Sequence, residues 1–358
     1  GCLGDPLATG FAVSRSMKAI AKTAIGPGLE MIEVPMPEPG IDDVLIRIKR
    51  TSICGTDVHI DLWDAWAAAT VKPSMVIGHE FVGEVVDVGS NVRGIEVGAL
   101  GSGEGHIVCG RCRNCMAGKR HLCPHTLGVG VDRQGAFADF LCIPAENVWR
   151  ADPRIPLDVL SCFDPLGNAT HTALSFDLIG EDVLITGAGP IGCMAAGICR
   201  YAGARHVVVT DINADRLQLA KGMGASAVVN VAEESLRDTM SDLGMREGFD
   251  VGLEMSGSPA ALKQMIEQMF AGGRIALLGI LPGEAAVDWN QIIFKALHIK
   301  GIYGREMYET WYKMSAMVLG GLDITPAITH RFPVAQWREG FDLMESGRSG
   351  KIVLNWEN

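Results

Sequence analysis

The stretch VLITGAGPIG, residues 183–192, decides the fold, because it carries three glycines from an apolar strand into a helix. Its Gly-x-Gly-x-x-Gly spacing is typical of a dinucleotide-binding turn. The first glycine permits the tight turn, the second admits a pyrophosphate, and the third lets the helix pack on the strand. The N-terminus of that helix attracts the anion. The candidate cofactor residues here are Gly187, Gly189, Pro190, Ile191 and Gly192.

An acidic residue follows the turn at the end of the second predicted strand. Asp211 is placed to accept hydrogen bonds from the adenosine ribose, and its charge would repel a 2′-phosphate, so the sequence predicts NAD rather than NADP. Arg216 would soften that preference if its side chain turned inward. The alternative is that Asp211 only caps a helix beginning near Ala214.

The pattern around the turn repeats a strand and a helix several times, which predicts an α/β fold with a doubly wound parallel sheet. Strands are predicted at Val183–Thr186, Val207–Thr210, Ala227–Val229, Val251–Glu254, Arg274–Leu278 and His298–Ile302. Helices are predicted at Ile191–Ala202, Ala214–Met223, Glu233–Leu243 and Pro259–Met269. Before this region, Met17–Asn147 shows short alternating or β-branched runs between Pro and Gly turns, such as Val44–Lys49 and Phe81–Val88, which indicates a separate β-rich domain. The apolar run Lys351–Leu354 near the end of the chain fits a return to that domain.

Composition narrows the classes of partner. A formal net charge of −11 disfavours a nucleic-acid partner. Glycines interrupt the longest uncharged stretch, Val183–Cys199, so we expect no membrane span. Ten cysteines in a chain too long to need disulfide staples indicate metal binding and a reducing, cytoplasmic location. Residues 1–16 are interpreted as an N-terminal extension, either an expression remnant or a frayed segment.

Four of the cysteines lie close together in the β-rich region. Cys109, Cys112, Cys115 and Cys123 form Cys-x2-Cys-x2-Cys-x7-Cys, and four thiolates at this spacing can close a tetrahedron around zinc. Such a site has no vacancy for water, so it would be structural. An iron–sulfur cluster and unliganded thiols are the alternatives.

A second set of possible ligands is spread along the β-rich region and into the next segment. Cys54, His79, Glu80 and Asp164 offer the thiolate, imidazole and carboxylate groups of a catalytic zinc with one open position. Taken alone, Cys54 would more often be a buried thiol and His79 a core histidine. Cys162 competes with Asp164, because residues two apart on a strand share a face.

A proton released at such a centre needs a route to water. Thr56 and His59, which closely follow Cys54, offer a hydroxyl and an imidazole for that purpose. Farther along, the run Tyr303–Tyr312 is interpreted as a helix that packs at the domain interface, with lining of the cleft as the alternative.

These motifs together resemble the medium-chain, zinc-dependent alcohol dehydrogenase superfamily. The resemblance rests on CGTD (54–57), GHE (78–80), the four-cysteine lobe and GAGPIG (187–192), and it runs from Met17 almost to the C-terminus. It implies a Rossmann domain (166–305) inserted into a GroES-like catalytic domain (17–165 and the return 306–358), with a zinc lobe at 104–125. It also implies a homotetramer and two zinc ions per chain.

The resemblance assigns roles by position. Cys54, His79 and Asp164 resemble the catalytic zinc ligands, and Glu80 the carboxylate that enters the shell or stands beside it. Thr56 and His59 resemble the proton relay, and His106 a residue beside the substrate.

The segments SGEGHIVCGRCRNC, FDPLGNATHTALSFDLIGEDVL, EGFDVGLEMSG and GIYGREMYETWYKM resemble the threonine-oxidising branch of the family. The implied substrate is therefore L-threonine, oxidised by NAD+ to 2-amino-3-oxobutanoate. Alternatives are a polyol dehydrogenase acting on sorbitol or 2,3-butanediol, and a zinc-stapled NAD-sensing protein without turnover.

Overall fold

The computed structural model describes residues 15–357. Its strands are β1 (Ser16–Lys22), β2 (Glu30–Pro35), β3 (Asp43–Ser52), β4 (Met75–Val76), β5 (Phe81–Val88), β6 (Leu100–Gly103), β7 (His106–Ile107), β8 (Leu127–Gly128), β9 (Phe140–Pro144), β10 (Val148–Arg150), β11 (Asp182–Thr186), β12 (His206–Asp211), β13 (Ala227–Asn230), β14 (Phe249–Glu254), β15 (Met269–Leu277), β16 (His298–Gly301), β17 (Ile328–Pro333) and β18 (Lys351–Asn355). Its α-helices are α1 (Gly55–Leu62), α2 (Ala65–Thr70), α3 (Arg113–Met116), α4 (Leu157–Ser161), α5 (Phe163–Ala173), α6 (Pro190–Tyr201), α7 (Ala214–Gly222), α8 (Leu236–Asp242), α9 (Pro259–Gln268), α10 (Trp289–Phe294), α11 (Glu309–Leu319) and α12 (Trp337–Glu345).

The second half of the chain forms a parallel six-stranded sheet in the order β13-β12-β11-β14-β15-β16. This order, which reverses direction next to β11, is the one that dinucleotide-binding doubly wound folds adopt. All five residues of β11 are buried, because helices cover both faces of the sheet. The predicted doubly wound α/β sheet is confirmed. Its strand ends lie within two residues of the predicted ones, except that β15 begins at Met269, five residues before the predicted Arg274.

The predicted helices of this region are also confirmed, with one boundary corrected. The helix predicted from Glu233 begins only at Leu236, because the Ser235 side chain accepts a hydrogen bond from Asp238 N and caps it. The helix after the glycine turn begins with Pro190 at its first turn, where the missing N–H costs no hydrogen bond.

The first half of the chain is β-rich, as predicted. Its main sheet has seven strands in the order β10-β6-β5-β3-β18-β17, with β9 also paired to β3, and a three-stranded sheet β2-β1-β4 lies beside it. The predicted strand Phe81–Val88 has the bounds of β5, and β3 extends the predicted run Val44–Lys49 at both ends.

The last strand brings the C-terminal segment back to the first sheet. Strand β18 pairs antiparallel with β3, with Val353 opposite Ser52. Strand β3 in turn pairs antiparallel with β5, with Thr51 opposite Phe81. The ends of β3, β5 and β18 therefore meet at one place, and this register positions the side chains of the site described below.

Cys162 was considered as a competing ligand because it would share a strand face with Asp164, but the segment around Asp164 is a helix. Cys162 immediately precedes α5 and Asp164 lies in its first turn, so the two side chains do not share a strand face. Cys162 is fully buried in the core. Residues 1–14 of the predicted N-terminal extension lie outside the described residues, and β1 begins at Ser16. Within residues 15–357, no helix is long and apolar enough to cross a membrane.

Candidate active site and zinc centres

The four cysteines of the lobe converge in space. One sulfur from each of Cys109, Cys112, Cys115 and Cys123 lies within 4.8 Å of the other three. The Sγ atoms of Cys123 and Cys109 are 3.6 Å apart. Two thiolates bound to one zinc at ~2.3 Å in a tetrahedron are separated by about 3.7 Å. The donor set and its spacing therefore fit a closed, structural zinc site.

Backbone amides of the lobe point at these sulfurs. Cys109 N and His125 N lie 3.5 and 3.4 Å from the Cys123 sulfur, and Cys112 N lies 3.4 Å from the Cys109 sulfur. Burial opposes ionisation of Cys123, but these N–H groups outweigh it and lower its pKa to about 6. Hydrogen bonds to the charged form favour it, so the amides stabilise a thiolate at Cys123, whereas burial raises the pKa of Cys115 to about 12.

The second group of ligands is assembled from two strand ends. Cys54 follows β3 and precedes α1, while His79 and Glu80 immediately precede β5. One ligand atom from each of these three residues lies within 4.8 Å of the other two. Although burial opposes a charge on His79, its electrostatic interaction with the neighbouring Cys54 raises the pKa of the imidazole well above its ordinary value. The sequence-predicted residues Cys54, His79 and Glu80 thus lie together.

Glu80 is fixed by partners that the sequence did not reveal. Its Oε2 atom accepts a hydrogen bond from Ser52 Oγ and lies 2.6 Å from Lys351 Nζ, at the start of β18. Its Oε1 atom is buried without a hydrogen-bond partner among the described residues. A buried carboxylate oxygen of this kind ordinarily has a partner. An unpaired buried oxygen on a carboxylate that converges with Cys54 and His79 fits a zinc ligand.

Asp164 lies in the same region but outside that group of three. Its Oδ2 atom is 3.0 Å from Arg305 Nη2, in a nearly fully buried ion pair. Arg305 also binds Glu104, with Nε 3.0 Å from Oε2, and donates from Nη1 to Asn168 Oδ1 at 3.0 Å. Burial raises the pKa of Glu104, but Arg305 outweighs it and the net pKa is lowered. Arg305 is therefore a buried cation between two carboxylates.

His106 lies beside this ion-pair network, with Nδ1 3.8 Å from Glu104 Oε1. Its ring stacks on that of Tyr303, with centroids 5.8 Å apart and an interplanar angle of 6°. Burial, followed by the nearby Arg305 charge, lowers the pKa of His106, which keeps the ring neutral at physiological pH. A neutral imidazole can accept or donate a hydrogen bond to a polar substrate.

The proposed relay residues lie on α1. Thr56 Oγ1 is 3.7 Å from Cys54 Sγ, which places the hydroxyl beside the candidate metal ligands. His59 Nδ1 lies 2.7 Å from Asp64 Oδ2, and the His59 side chain is 60% exposed. A ring that donates from Nδ1 to a carboxylate keeps Nε2 free as an acceptor. Thr56 is therefore on the cavity side and His59 on the solvent side of the helix.

A cavity of about 450 Å³ brings these groups together. Its lining includes Cys54, Thr56, His79, His106, Asp164 and Arg305. Tyr303 and Gly304 also line it, and the following helix begins only at Glu309. The interpretation of Tyr303–Tyr312 as a packing helix was therefore wrong for its first residues, which line the cleft. A larger cavity of about 790 Å³ lies between β1, β2 and β9, away from these groups.

Sequence reasoning missed three charged residues at this site: Glu104, Arg305 and Lys351. Glu104 stood in the segment GEGH without a role, and Lys351 was treated only as the start of an apolar strand. A lone lysine opening a buried strand was the available signal, since a buried ammonium requires a partner.

The glycine turn lies where strand β11 meets α6. Gly187 has φ +94°, and a Cβ there would approach Ser256 Cα to 2.9 Å. A Cβ on Gly192 would lie 1.9 Å from Gly187 O, whereas one on Gly189 would meet open space. The outer two glycines are thus required by the packing, and the middle one faces a cavity of about 500 Å³.

Asp211 and Arg216 line this same cavity. Asp211 Oδ2 accepts a hydrogen bond from Ala188 N at 2.7 Å, which ties the acidic residue to the glycine turn. The helix cap that was the alternative role for Asp211 belongs instead to Asn213, which accepts from Asp215 N and Arg216 N. Arg216 Nε is buried without a hydrogen-bond partner in the described part of the chain.

Comparison with known proteins defines the class first. Residues 40–153 match the model for the alcohol dehydrogenase GroES-like domain, and residues 190–320 match that for zinc-binding dehydrogenases. A putative zinc-binding dehydrogenase from Sinorhizobium meliloti, solved with NADP, is 28% identical with a TM-score of 0.87, over 95% of this chain and 99% of that one. A short chain alcohol dehydrogenase from Escherichia coli, complexed with NADH, is 26% identical with a TM-score of 0.86 over the same shares.

Sequence similarity is much higher to one branch of this class. The L-threonine 3-dehydrogenase of Burkholderia lata is 62% identical over 340 residues, which is 95% of this chain and 99% of that protein. The chain therefore belongs to the L-threonine 3-dehydrogenase family of zinc-binding alcohol dehydrogenases.

Proposed function

We propose that the protein oxidises the 3-hydroxyl of L-threonine with NAD+, giving 2-amino-3-oxobutanoate and NADH. The observation that carries this proposal is the convergence of Cys54, His79 and Glu80, of which Cys54 and His79 line a cavity, in a chain 62% identical to an L-threonine 3-dehydrogenase. Full-length relatives at 58–62% identity are named L-threonine 3-dehydrogenase, so the polyol alternative has less support.

Cys54, His79 and Glu80 are the proposed ligands of a catalytic zinc, and Asp164 is held beside them by Arg305. A zinc ion in an open site supplies Lewis acidity that lowers the pKa of a substrate hydroxyl. The chain's own residues then orient the substrate. His106, neutral and stacked on Tyr303, presents a hydrogen-bonding nitrogen to the cavity.

The proton released from the hydroxyl is proposed to leave through α1. Thr56 is near enough to the candidate ligands to take part in a hydrogen-bonded route. His59, whose Nδ1 is held by Asp64, has its other nitrogen free to receive the proton and pass it to solvent. The route therefore begins inside the cavity and ends at a half-exposed ring.

The cofactor is proposed to bind across the glycine turn. The residues proposed for it are Gly187, Gly189, Pro190, Ile191, Gly192, Asp211 and Arg216. Gly189 leaves room for the pyrophosphate at the N-terminus of α6, and Asp211 faces the ribose from the end of β12. The carboxylate disfavours a 2′-phosphate, whereas the unpartnered Arg216 would attract one, and we propose that Asp211 decides for NAD.

The direct test is NADH formation, followed at 340 nm, with L-threonine compared with sorbitol and 2,3-butanediol. We expect kcat/KM for L-threonine to exceed that for either polyol by at least about 10²-fold, because a site built for an amino acid's charged groups penalises substrates that lack them. Equal or higher activity on a polyol would overturn the proposal. No turnover of any substrate would favour the NAD-sensing alternative.

Two zinc ions per chain are proposed, one bound by Cys54, His79 and Glu80 and one by the four-cysteine lobe. Elemental analysis of the purified protein tests this count, because two ions support the enzyme and a single ion would support the alternative without a catalytic zinc.

We further propose a homotetramer in the cytoplasm, with the domain limits given by the resemblance: 17–165 and 306–358 for the catalytic domain and 166–305 for the Rossmann domain. Light scattering would measure the assembly.

A further inference from the structure

A third group of ligand-type side chains lies outside both proposed zinc centres. It comprises His121, in the short turn after the third lobe cysteine, His171 on α5, and Glu306, between β16 and α11. One ligand atom from each residue lies within 4.8 Å of the other two. Neither the cysteine lobe nor the proposed catalytic residues use these side chains.

The hydrogen bonding of His171 prepares one of its nitrogens for a cation. His171 Nδ1 lies 2.9 Å from Gly304 O, and a carbonyl can only accept, so the hydrogen is on Nδ1. In the neutral ring, Nε2 then carries a lone pair. Metal-binding histidines commonly donate their second ring N–H to a backbone carbonyl in this way.

The spacing of the other ligand atoms fits a shared ion better than a direct hydrogen bond. His171 Nε2 is 3.6 Å from Glu306 Oε1. Two ligands bound to one ion at ~2.1 Å in a tetrahedron are separated by about 3.4 Å. A neutral nitrogen and a carboxylate oxygen both present lone pairs, so without a cation or a proton between them they repel each other.

His121 adds an independent observation. Its Nδ1 atom is buried without a hydrogen-bond partner among the described residues. Its ring stands perpendicular to that of His171, with centroids 5.5 Å apart. A buried ring nitrogen ordinarily has a partner, so the unpaired Nδ1 of a ring that lies against His171, in a group of three converging ligands, points to a cation as its partner.

We propose that His121, His171 and Glu306 bind a third divalent ion of the zinc, cobalt and nickel class. Two imidazoles and one carboxylate suit these metals, and they leave a position for water. A small adjoining cavity of about 80 Å³, lined partly by His171 and Glu306, gives access from solvent. Lys300 and Lys313 line the same cavity and oppose a cation, so the ion binds more weakly than zinc in the four-cysteine lobe.

An ion at this position would steady the proposed active site. Gly304 and Glu306 flank Arg305, whose guanidinium holds Glu104 and Asp164. The ion would tie this segment to α5 and to the lobe, and it would restrict the motion of the Arg305 backbone. The metal-binding proposal itself stands apart from the choice of substrate.

Zinc titration of the zinc-loaded holoenzyme tests the proposal. We expect the wild-type protein to take up one further ion per chain, and Glu306→Gln and His121→Asn to bind it at least about tenfold more weakly. His330→Ala, which removes a histidine outside the cluster, serves as the control and should bind as the wild type does. Glu306→Gln leaves the cysteine lobe untouched, so it remains informative if His121→Asn disturbs that lobe.

Hydrogen exchange gives a second readout. Zinc should slow exchange of the backbone amides of residues 303–308 in the wild type and in His330→Ala, but not in Glu306→Gln. Equal zinc uptake by the wild type and both cluster variants would overturn the proposal, as would the absence of a further ion in the wild type. Both outcomes are independent of activity on L-threonine.

Discussion

The two proposed zinc centres differ in how the chain builds them. In the lobe, Cys109 and Cys123 are only 14 positions apart, and short turns with their own amides hold all four thiols. The Cys54, His79 and Glu80 group depends instead on Lys351, 271 positions after Glu80. One centre is local in sequence and the other is assembled by the sheet.

Because of this difference, we expect the two centres to contribute differently to the stability of the fold and to catalysis. A lobe held by its own turns can lose its metal and open without disturbing the rest of the fold, because few long-range contacts depend on it. The assembled group rests on buried charges that must remain paired, so damage there propagates into the sheet. Of the two proposed centres, the assembled group is the one that adjoins a cavity large enough for a substrate, so the open coordination position is proposed there.

The largest expected effect is on catalysis. Cys54→Ala removes a proposed ligand and should lower kcat by at least about 10²–10³-fold, the loss that follows removal of one preorganised stabiliser of developing charge. Zinc content should fall by one ion while circular dichroism is retained. Cys142→Ala, a half-buried thiol outside both centres, is the control. Unchanged kcat in Cys54→Ala would contradict the catalytic assignment.

The next largest effect is on the free energy of unfolding, and it compares a buried ion pair with an exposed one. Lys351→Met leaves Glu80 buried without its cation, and breaking such a pair should cost about 3–5 kcal/mol of unfolding free energy. Lys313→Met breaks an exposed pair with Glu309 on α11 and should cost no more than about 0.5 kcal/mol. Urea unfolding of both variants measures the difference. Equal losses would show that the assembled group does not depend on Lys351.

The sequence predicted the parts of the site that are set by local spacing. The glycine turn was predicted correctly because its spacing is local: Gly187 takes a positive φ, and a Cβ on Gly192 would meet Gly187 O five residues earlier. The cysteine cluster likewise follows from spacing alone. Strand β18 was predicted, but the partner of its Lys351 was not, because that contact depends on the register of β18 on β3.

Arg305 escaped prediction for a related reason. Its partners Glu104 and Asp164 come from segments that no local pattern connects with it, and only the closed fold brings the three together. The run around Arg305 combines aromatic and charged residues, and packing of a helix at an interface was the interpretation preferred to lining of the cleft. Charges that meet across a cleft leave no periodic signal in the chain.

The pH dependence of stability should report on this buried network. The pKa of Glu104 is lowered in the folded protein, because Arg305 outweighs the effect of burial. Its stabilising contribution is therefore present above the unfolded pKa of about 4.3 and is lost as the pH falls through the lower folded value. Glu104→Gln should cost about 1.5–3 kcal/mol at pH 7, the range for hydrogen bonds to charged groups.

That cost should disappear in acid. Melting temperatures of the wild type and Glu104→Gln should begin to converge below the unfolded pKa of about 4.3 and meet only once the pH has fallen through the lower folded pKa of Glu104, because the folded wild type then carries a neutral side chain at this position. Glu309→Gln, in the exposed pair on α11, is the control and should follow the wild type at every pH. A constant difference between wild type and Glu104→Gln across the range would show that the carboxylate charge does not stabilise the network.

The smallest effect on the whole molecule is expected in the lobe. Cys112→Ser should release the proposed structural zinc and open the lobe locally, which exposes the Lys119–Arg120 bond to trypsin. Cleavage there should accelerate by at least about tenfold, because proteolysis follows the population of the open form.

Global unfolding and kcat should change much less in Cys112→Ser than in Lys351→Met and Cys54→Ala. Met116→Ala, an exposed side chain in the same lobe, should cleave as the wild type does. If Cys112→Ser instead unfolds the sheet, the lobe is not the independent unit that its local hydrogen bonds indicate.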